Sequence, residues 1–226
     1  MSEDTGMRIG LEGGKRKMKR FFSELKYGAY LTVHPFKGFW DIKHEHAGSV
    51  GTAGFFLAVY TVLSVVGGYC TGYLFNAYEK NSFQASKQVF IVLALFFGYC
   101  ISNWAFTCLF DGEGTFSDIF KATGYALIPL IISQILLIPL SNFFVLEEQA
   151  FYTTINSFAV VWMLFLILVS VLVTHNYSLG KGLLMILCII FGMCVIAYIG
   201  LLFFNLIQQV LGFAATMITE FSARYL

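Results

Sequence analysis

The sequence predicts an all-α membrane protein, a bundle of five transmembrane helices with amphipathic helices at its N-terminal and C-terminal ends. Three observations predict it. Apolar residues make up 58% of the 226 residues and charged residues only 12%, with a mean hydropathy of +0.76, which lies outside the range of soluble domains. Five windows almost free of charge are each long enough to cross a hydrocarbon core of roughly 30 Å, which takes about 20 residues of helix. Finally, nine of the fourteen Lys and Arg precede residue 50, so a net charge of +1 conceals a basic head on an apolar body.

The head comprises residues 1–46. Residues 1–14 are polar and contain four glycines, too little apolar surface to fold alone. From Lys15 to Leu31, Met18, Phe21, Phe22, Leu25 and Ala29 recur at three and four residues, with Lys15, Arg16, Lys17, Lys19, Arg20 and Lys26 on the remaining face. This predicts a basic amphipathic helix suited to an anionic inner leaflet, each basic residue contributing about 1 kcal/mol near such a surface. His34 to His46 alternates aromatics, including Phe36, Phe39 and Trp40, with charges, and is expected to lie along the cytoplasmic interface. His44 and His46 flank Glu45, a poor partial ligand set better read as a solvated loop.

The transmembrane domain, residues 47–226, follows. The charge-free windows are Ala47–Tyr78, Gln88–Phe110, Ala122–Leu146, Gln149–Tyr177 with only His175 able to ionise, and Gly182–Thr219. The spans expected within them are about 50–77, 88–110, 123–146, 152–174 and 183–204. The last window would extend about 57 Å as one helix, so it is expected to divide into a span ending near Phe204 and an amphipathic helix over 205–224. Asn205, Gln208, Gln209, Gly212, Thr216, Thr219 and Glu220 form a polar stripe there, opposed by Leu206, Ile207, Val210, Leu211, Ala214, Met217, Ile218 and Phe221. A sixth crossing is the alternative. With five spans and a cytoplasmic N-terminus, eleven of the fourteen basic residues fall inside, as the positive-inside bias requires, and the C-terminus falls outside.

Within the spans, Ser64, Gly68 and Gly72 recur every fourth position, which permits close helix packing in lipid. Pro129 and Pro139 predict a kinked third span. Asn103 and Gln134 are expected to hydrogen-bond to neighbouring helices, since an unpaired amide is costly in hydrocarbon. Ahead of the third span, Asp111–Lys121 carries Thr115 as a helix cap with Asp118 three residues on, predicting a short interfacial helix. Its glycines lack the GxxxxGK[ST] pattern of a phosphate loop.

Several chemistries are excluded. The five spans contain no Asp, Glu, Lys or Arg, whereas proton relays, ion-coupled carriers and voltage sensors use intramembrane charge, and an intramembrane aspartyl protease needs two Asp. His175 is the only histidine beyond residue 46 and has no acidic neighbour in sequence, so a serine hydrolase is not indicated. Cys70, Cys100, Cys108, Cys188 and Cys194 all lie in apolar runs without a CxxC, the pattern of free buried thiols rather than disulfides or a metal site. The first apolar run starts too late for a cleavable signal peptide. No enzyme and no cofactor, metal or nucleic-acid partner is expected.

The run Gly114–Pro129, Gly-Thr-Phe-Ser-Asp-Ile-Phe-Lys-Ala-Thr-Gly-Tyr-Ala-Leu-Ile-Pro, resembles the segment joining spans two and three of the Yip family, the Ypt/Rab-interacting membrane proteins. His34-Pro35-Phe36 through Lys43-His44-Glu45 is similar to the pre-span segment of that family's bacterial branch. The resemblance implies five spans with a cytoplasmic N-terminus. Eukaryotic members are associated with small prenylated GTPases and carry an Asp-Leu-Tyr-Gly-Pro-like stretch; here Phe39-Trp40-Asp41-Ile42-Lys43 lacks the Gly-Pro, which counts against GTPase binding. In bacteria the resemblance implies a cell-membrane accessory protein beside ABC-type transport components.

The leading expectation is therefore a non-catalytic scaffold or accessory subunit contacting the bilayer and another membrane protein, possible ABC transporter subunits among them. Its candidate partner or lipid contacts are Lys15, Arg16, Lys19, Arg20, Phe36, Phe39, Trp40, Asp118, Gln208 and Gln209. Structural roles fall to Gly68, Gly72, Gly124, Tyr125, Pro129 and Pro139. A channel or carrier for a small neutral solute is the second reading, using Asn103, Ser133, Gln134, Asn156 and Asn205 if they converge. A trafficking-type GTPase receptor is the third.

Overall fold

The computed structural model describes residues 23–45, 47–72 and 84–225, without the side chains of residues 146 and 222–225. The contact candidates Lys15, Arg16, Lys19 and Arg20, the first eight residues of the predicted basic helix, His46 and the end of the first predicted span lie outside these residues. Among the described residues there is no strand. The helices are α1 (23–33), α2 (Pro35–His44), α3 (Val50–Cys70), α4 (Ala85–Thr107), α5 (Phe116–Ala126), α6 (Ile128–Leu140), α7 (Gln149–His175) and α8 (Leu179–Tyr225). Five helical stretches are long and apolar enough to cross a membrane: α3, α4, α5 with α6, α7, and α8 to Phe221.

The packing centres on α5, which touches α2, α3, α4, α6 and α7. Ile119, Ala122, Tyr125 and Ala126 recur along its buried face at helical spacing. Phe56 of α3 meets the Tyr125 ring edge-on at 5.1 Å, a favoured aromatic geometry. A Cβ on Gly124 would stand 2.7 Å from that of Ala53, so glycine is what lets α3 and α5 approach. Gly72 plays the same part at the opposite end of α3. Its N–H donates to Ser141 Oγ at 2.9 Å, and a side chain there would strike the Ser141 carbonyl.

The third span starts earlier than the charge-free window suggested. Thr115 and Asp118 form a reciprocal capping box, which satisfies two free N–H groups of the first turn and begins the helix at Phe116. The expected short interfacial helix is thus the first part of the span itself. Asp118 and Lys121 enter the span as an ion pair at 2.8 Å, so its outer turns carry charge after all. Leu127, with φ −75° and ψ −12°, joins α5 to α6. Pro129 falls in the first turn of α6, where its missing N–H is not needed, so the helical span is interrupted just before it, at Leu127; Pro139 lies in the last turn.

Two further expectations are corrected. The segment expected along the interface is partly core: Pro35 starts α2, and Phe39 and Ile42 on one face of it join the main apolar core with Leu31 of α1. Phe39, expected as a contact residue, is 1% exposed, while Phe36 and Trp40 point outward. The fifth window does not divide at Phe204. α8 is one helix of 47 residues, about 70 Å long at 1.5 Å per residue, because no proline follows Pro139 to end it.

α8 leaves the bundle obliquely. Ser102 of α4 donates to the Ile189 carbonyl at 2.7 Å, and Gly192 packs on Ser102 and Phe106. Both contacts fall in the last two turns of α4, although Gly192 is about 20 Å along α8 from Leu179. Residues 194–221 are all exposed.

Candidate functional site

Polar side chains gather at the end of the bundle where α4 and α7 finish and α3 and α5 begin. Ser49 caps α3, its Oγ accepting from the Thr52 N–H at 3.2 Å. Glu24 of α1 is buried beside this cap; its carboxylate accepts from Ser49 Oγ at 2.6 Å and from Thr52 Oγ1. A carboxylate at a helix N-terminus is favoured by the helix dipole. Tyr27 donates to the Gly38 carbonyl at 3.0 Å and to Asp41 at 3.1 Å, locking α1 to α2. Burial first, and then the bond to Asp41, raise the Tyr27 hydroxyl well above its ordinary pKa.

On the neighbouring side, Asn176 ends α7 in the left-handed conformation, φ 56°, which asparagine tolerates. His175 is buried just before it, and its Nε2 lies 3.1 Å from Asn103 Oδ1. An amide oxygen only accepts, so the proton resides on Nε2 and Nδ1 is left as an acceptor without a partner. The loop between α4 and α5 lies directly on this imidazole. A Cβ on Gly112 would come 2.9 Å from Nδ1, and one on Gly114 2.7 Å from Cε1. These glycines are there for close approach to the ring.

The rim of this end is charged. Lys43 of α2 pairs with Glu113 of the loop at 3.0 Å, and Lys43 holds the Glu113 carboxyl below its ordinary range. Tyr177 donates to the Phe110 carbonyl at 3.2 Å, and the Lys181 ammonium stands 4.6 Å from the centre of its ring. Burial, followed by the charge of Asp111, raises the Tyr177 hydroxyl above its usual value.

Each bond fastens one segment to another. Ser49 and Thr52 donate to a carboxylate that has no histidine beside it in these contacts, and His175 faces an amide and two glycines. Among these contacts of the described residues, no nucleophile, base and orienting group stand in line as acyl transfer needs. Among the described residues, no three of His, Cys, Asp and Glu form a group able to hold a metal ion.

The expected contact residues are scattered. Asp118 is occupied by Thr115 and Lys121, Phe36 and Trp40 lie on the outer face of α2, and Gln208 and Gln209 are on the projecting part of α8. The polar residues proposed for a conduit do not converge. Asn103 is buried against His175, Ser133 bonds the Leu130 carbonyl of its own helix at 3.0 Å, and Asn156 and Asn205 are exposed on different helices. Asn103 finds the interhelical partner expected of it, whereas Gln134 Oε1 is buried without one. Glu24, the Tyr27–Asp41 pair and the Lys43–Glu113 pair were not legible in sequence. Their partners are 25 or 28, 14 and 70 residues away, and no local spacing announces them.

The family model of the Yip1 domain matches residues 29–218 of this chain. No curated protein and no solved structure matches it.

Proposed function

Because the chain belongs to the Yip1 domain family and several of its helices are apolar enough to cross a membrane, we propose that it is a non-catalytic scaffold or accessory subunit that docks a partner membrane protein along α8. One observation carries this reading: residues 194–221 are exposed without interruption. Lipid accounts for the apolar side chains there. It does not account for the amides of Asn205, Gln208 and Gln209, which share one stripe with Thr216 and Thr219, whose hydroxyls bond carbonyls of their own helix. Amides facing hydrocarbon are costly and are placed where another helix can bond them. Asn205 and Gln209 border a shallow groove with Ile199, Leu202, Phe203 and Leu206, a surface with the mixed character of an interhelical seam.

Eleven of the fourteen Lys and Arg lie in the head and in the 111–121 and 178–181 segments, which supports a cytoplasmic polar end. A transport complex of the ABC type is a candidate for the partner by family resemblance. The test is affinity purification from native membranes in mild detergent, comparing the unaltered chain with the Gln208→Leu/Gln209→Leu double variant. A protein retained in fixed stoichiometry by the first and lost from the second is the expected result. A chain that purifies alone in both cases overturns the scaffold reading and makes solute flux in reconstituted vesicles the next measurement.

A further inference from the structure

The contacts of α1 and α2 place their turn at the middle of the bundle, not at its rim. Trp162 donates its indole N–H to the Thr32 carbonyl at 3.1 Å. Trp162 lies thirteen residues before His175 in a helix of 27 residues, about 20 Å from that end, and therefore at the centre of α7. α5 with α6 supplies a second ruler. Gly28 sits so close to Ile128 that a Cβ there would collide with it, and Ile128 is the thirteenth of the 25 residues from Phe116 to Leu140. α3 supplies a third: Gly28 also faces Phe56, about 9 Å into a helix of 21 residues whose length of about 31 Å matches a hydrocarbon core, and the turn lies six residues, about 9 Å, further along α1.

From these rulers the geometry points to a re-entrant hairpin: α1 enters the bilayer at the polar end, turns at His34-Pro35 near mid-depth, and α2 returns to the same side, its outer face contacting the acyl chains of that leaflet. The outward residues suit that solvent. Val33 is 70% exposed, Phe36 56%, Trp40 53% and Tyr30 36%, whereas Lys43 and Glu113 form their ion pair at the mouth. Among the described residues, Lys37 is the outward cation nearest the turn. It lies about 9 Å below Lys43 along α2, and its four-carbon stem can carry the ammonium most of the way back.

Part of the backbone at the turn is satisfied within the protein, which matters in hydrocarbon, where an unsatisfied peptide group costs several kcal/mol. The His34 N–H donates to the Tyr30 carbonyl at 2.9 Å and the Gly38 N–H to that of His34 at 2.9 Å. Pro35 has no N–H to satisfy, and the Thr32 carbonyl takes the Trp162 indole.

The test is nitroxide labelling of the full chain, its native cysteines replaced, at Val33→Cys, Phe36→Cys and His44→Cys, in vesicles of phosphatidylcholine and phosphatidylglycerol. Collisions with oxygen and with a water-soluble nickel complex report depth. The expected result is oxygen contact dominating at 33 and 36 and nickel contact dominating at 44. Equal depth at all three positions, nickel contact at 33 and 36, or exclusion of both reagents there overturns the proposal, the last outcome meaning a protein cover instead of lipid. If the cysteine-free background does not fold, a benzophenone amino acid at Phe36 in the otherwise unaltered chain replaces the labels. Crosslinking to acyl chains supports the hairpin, and crosslinking to protein or to water-soluble probes overturns it.

Discussion

The α5–α6 unit and α8 are both apolar enough to cross a bilayer, yet 61% of the most apolar stretch of the first is buried inside the protein and only 6% of that of the second. The more hydrophobic of the two is the less buried. Apolarity therefore measures fitness for lipid and says little about packing, because lipid tails cover an apolar side chain as well as a neighbouring helix does. Packing is written elsewhere, in Gly124 against Ala53, in the Thr115–Asp118 cap and in the small residues of α5. α8 carries such a contact at Gly192, and from residue 194 to 221 it is exposed throughout.

That contrast predicts paired outcomes, one substitution in the bundle and its counterpart on α8. The largest effect is expected from Phe39→Ala, which empties a fully buried aromatic site and should destabilise the fold by about 3–5 kcal/mol. Phe203→Ala, 63% exposed, should leave thermal unfolding in detergent unchanged. Next comes Gly124→Val, which drives two methyl groups into Ala53 and should cost about 1–3 kcal/mol by overpacking. Gly200→Val, with nothing within 4 Å of its added Cβ, should be silent in the same melting experiment. If Phe203→Ala or Gly200→Val proves as damaging as its partner, the division between bundle and projecting helix is wrong.

A smaller effect is expected at the buried pair. Asn103→Leu leaves the His175 N–H without an acceptor and should cost about 1–3 kcal/mol. Replacing both, as Asn103→Leu/His175→Phe, should recover part of that loss, since two apolar groups leave nothing unsatisfied. A double variant no better than the single one would show that Asn103 matters for shape and not for the hydrogen bond. The smallest effect belongs to the rim. Lys43 lowers the Glu113 pKa in the folded state, so the pair stabilises at neutral pH and its contribution is lost as pH falls through that lowered value. Glu113→Gln should remove this acid-side dependence with little change at neutral pH, and added salt should mimic it.

Much of the fold was legible. Windows of about 20 apolar residues located all five long helices, and Thr115 with Asp118 announced a helix start that the structure places at Phe116. The errors share a cause. Asp118 and Lys121 hid the first turns of the third span because a charge-free criterion cannot see that two charges neutralise each other. Phe39 and Ile42 looked interfacial because they alternate with charges, but at helical spacing they fall on one face and Lys43 and His44 off it. The polar end was barely legible, since Asn103 meets His175 across 72 residues and a lone histidine at a span end shows no partner in sequence.

The most direct test of a self-sufficient bundle with an outward docking helix is the melting temperature, in mild detergent, of the full chain against a chain ending at Phe204. Residues 205–221 are exposed, so the two should melt within about 2 °C of each other, less than 1 kcal/mol for a protein of this size. A fall of about 10 °C or more would mean that the outer half of α8 packs on the bundle itself, and the account of it as a surface for a partner would be contradicted.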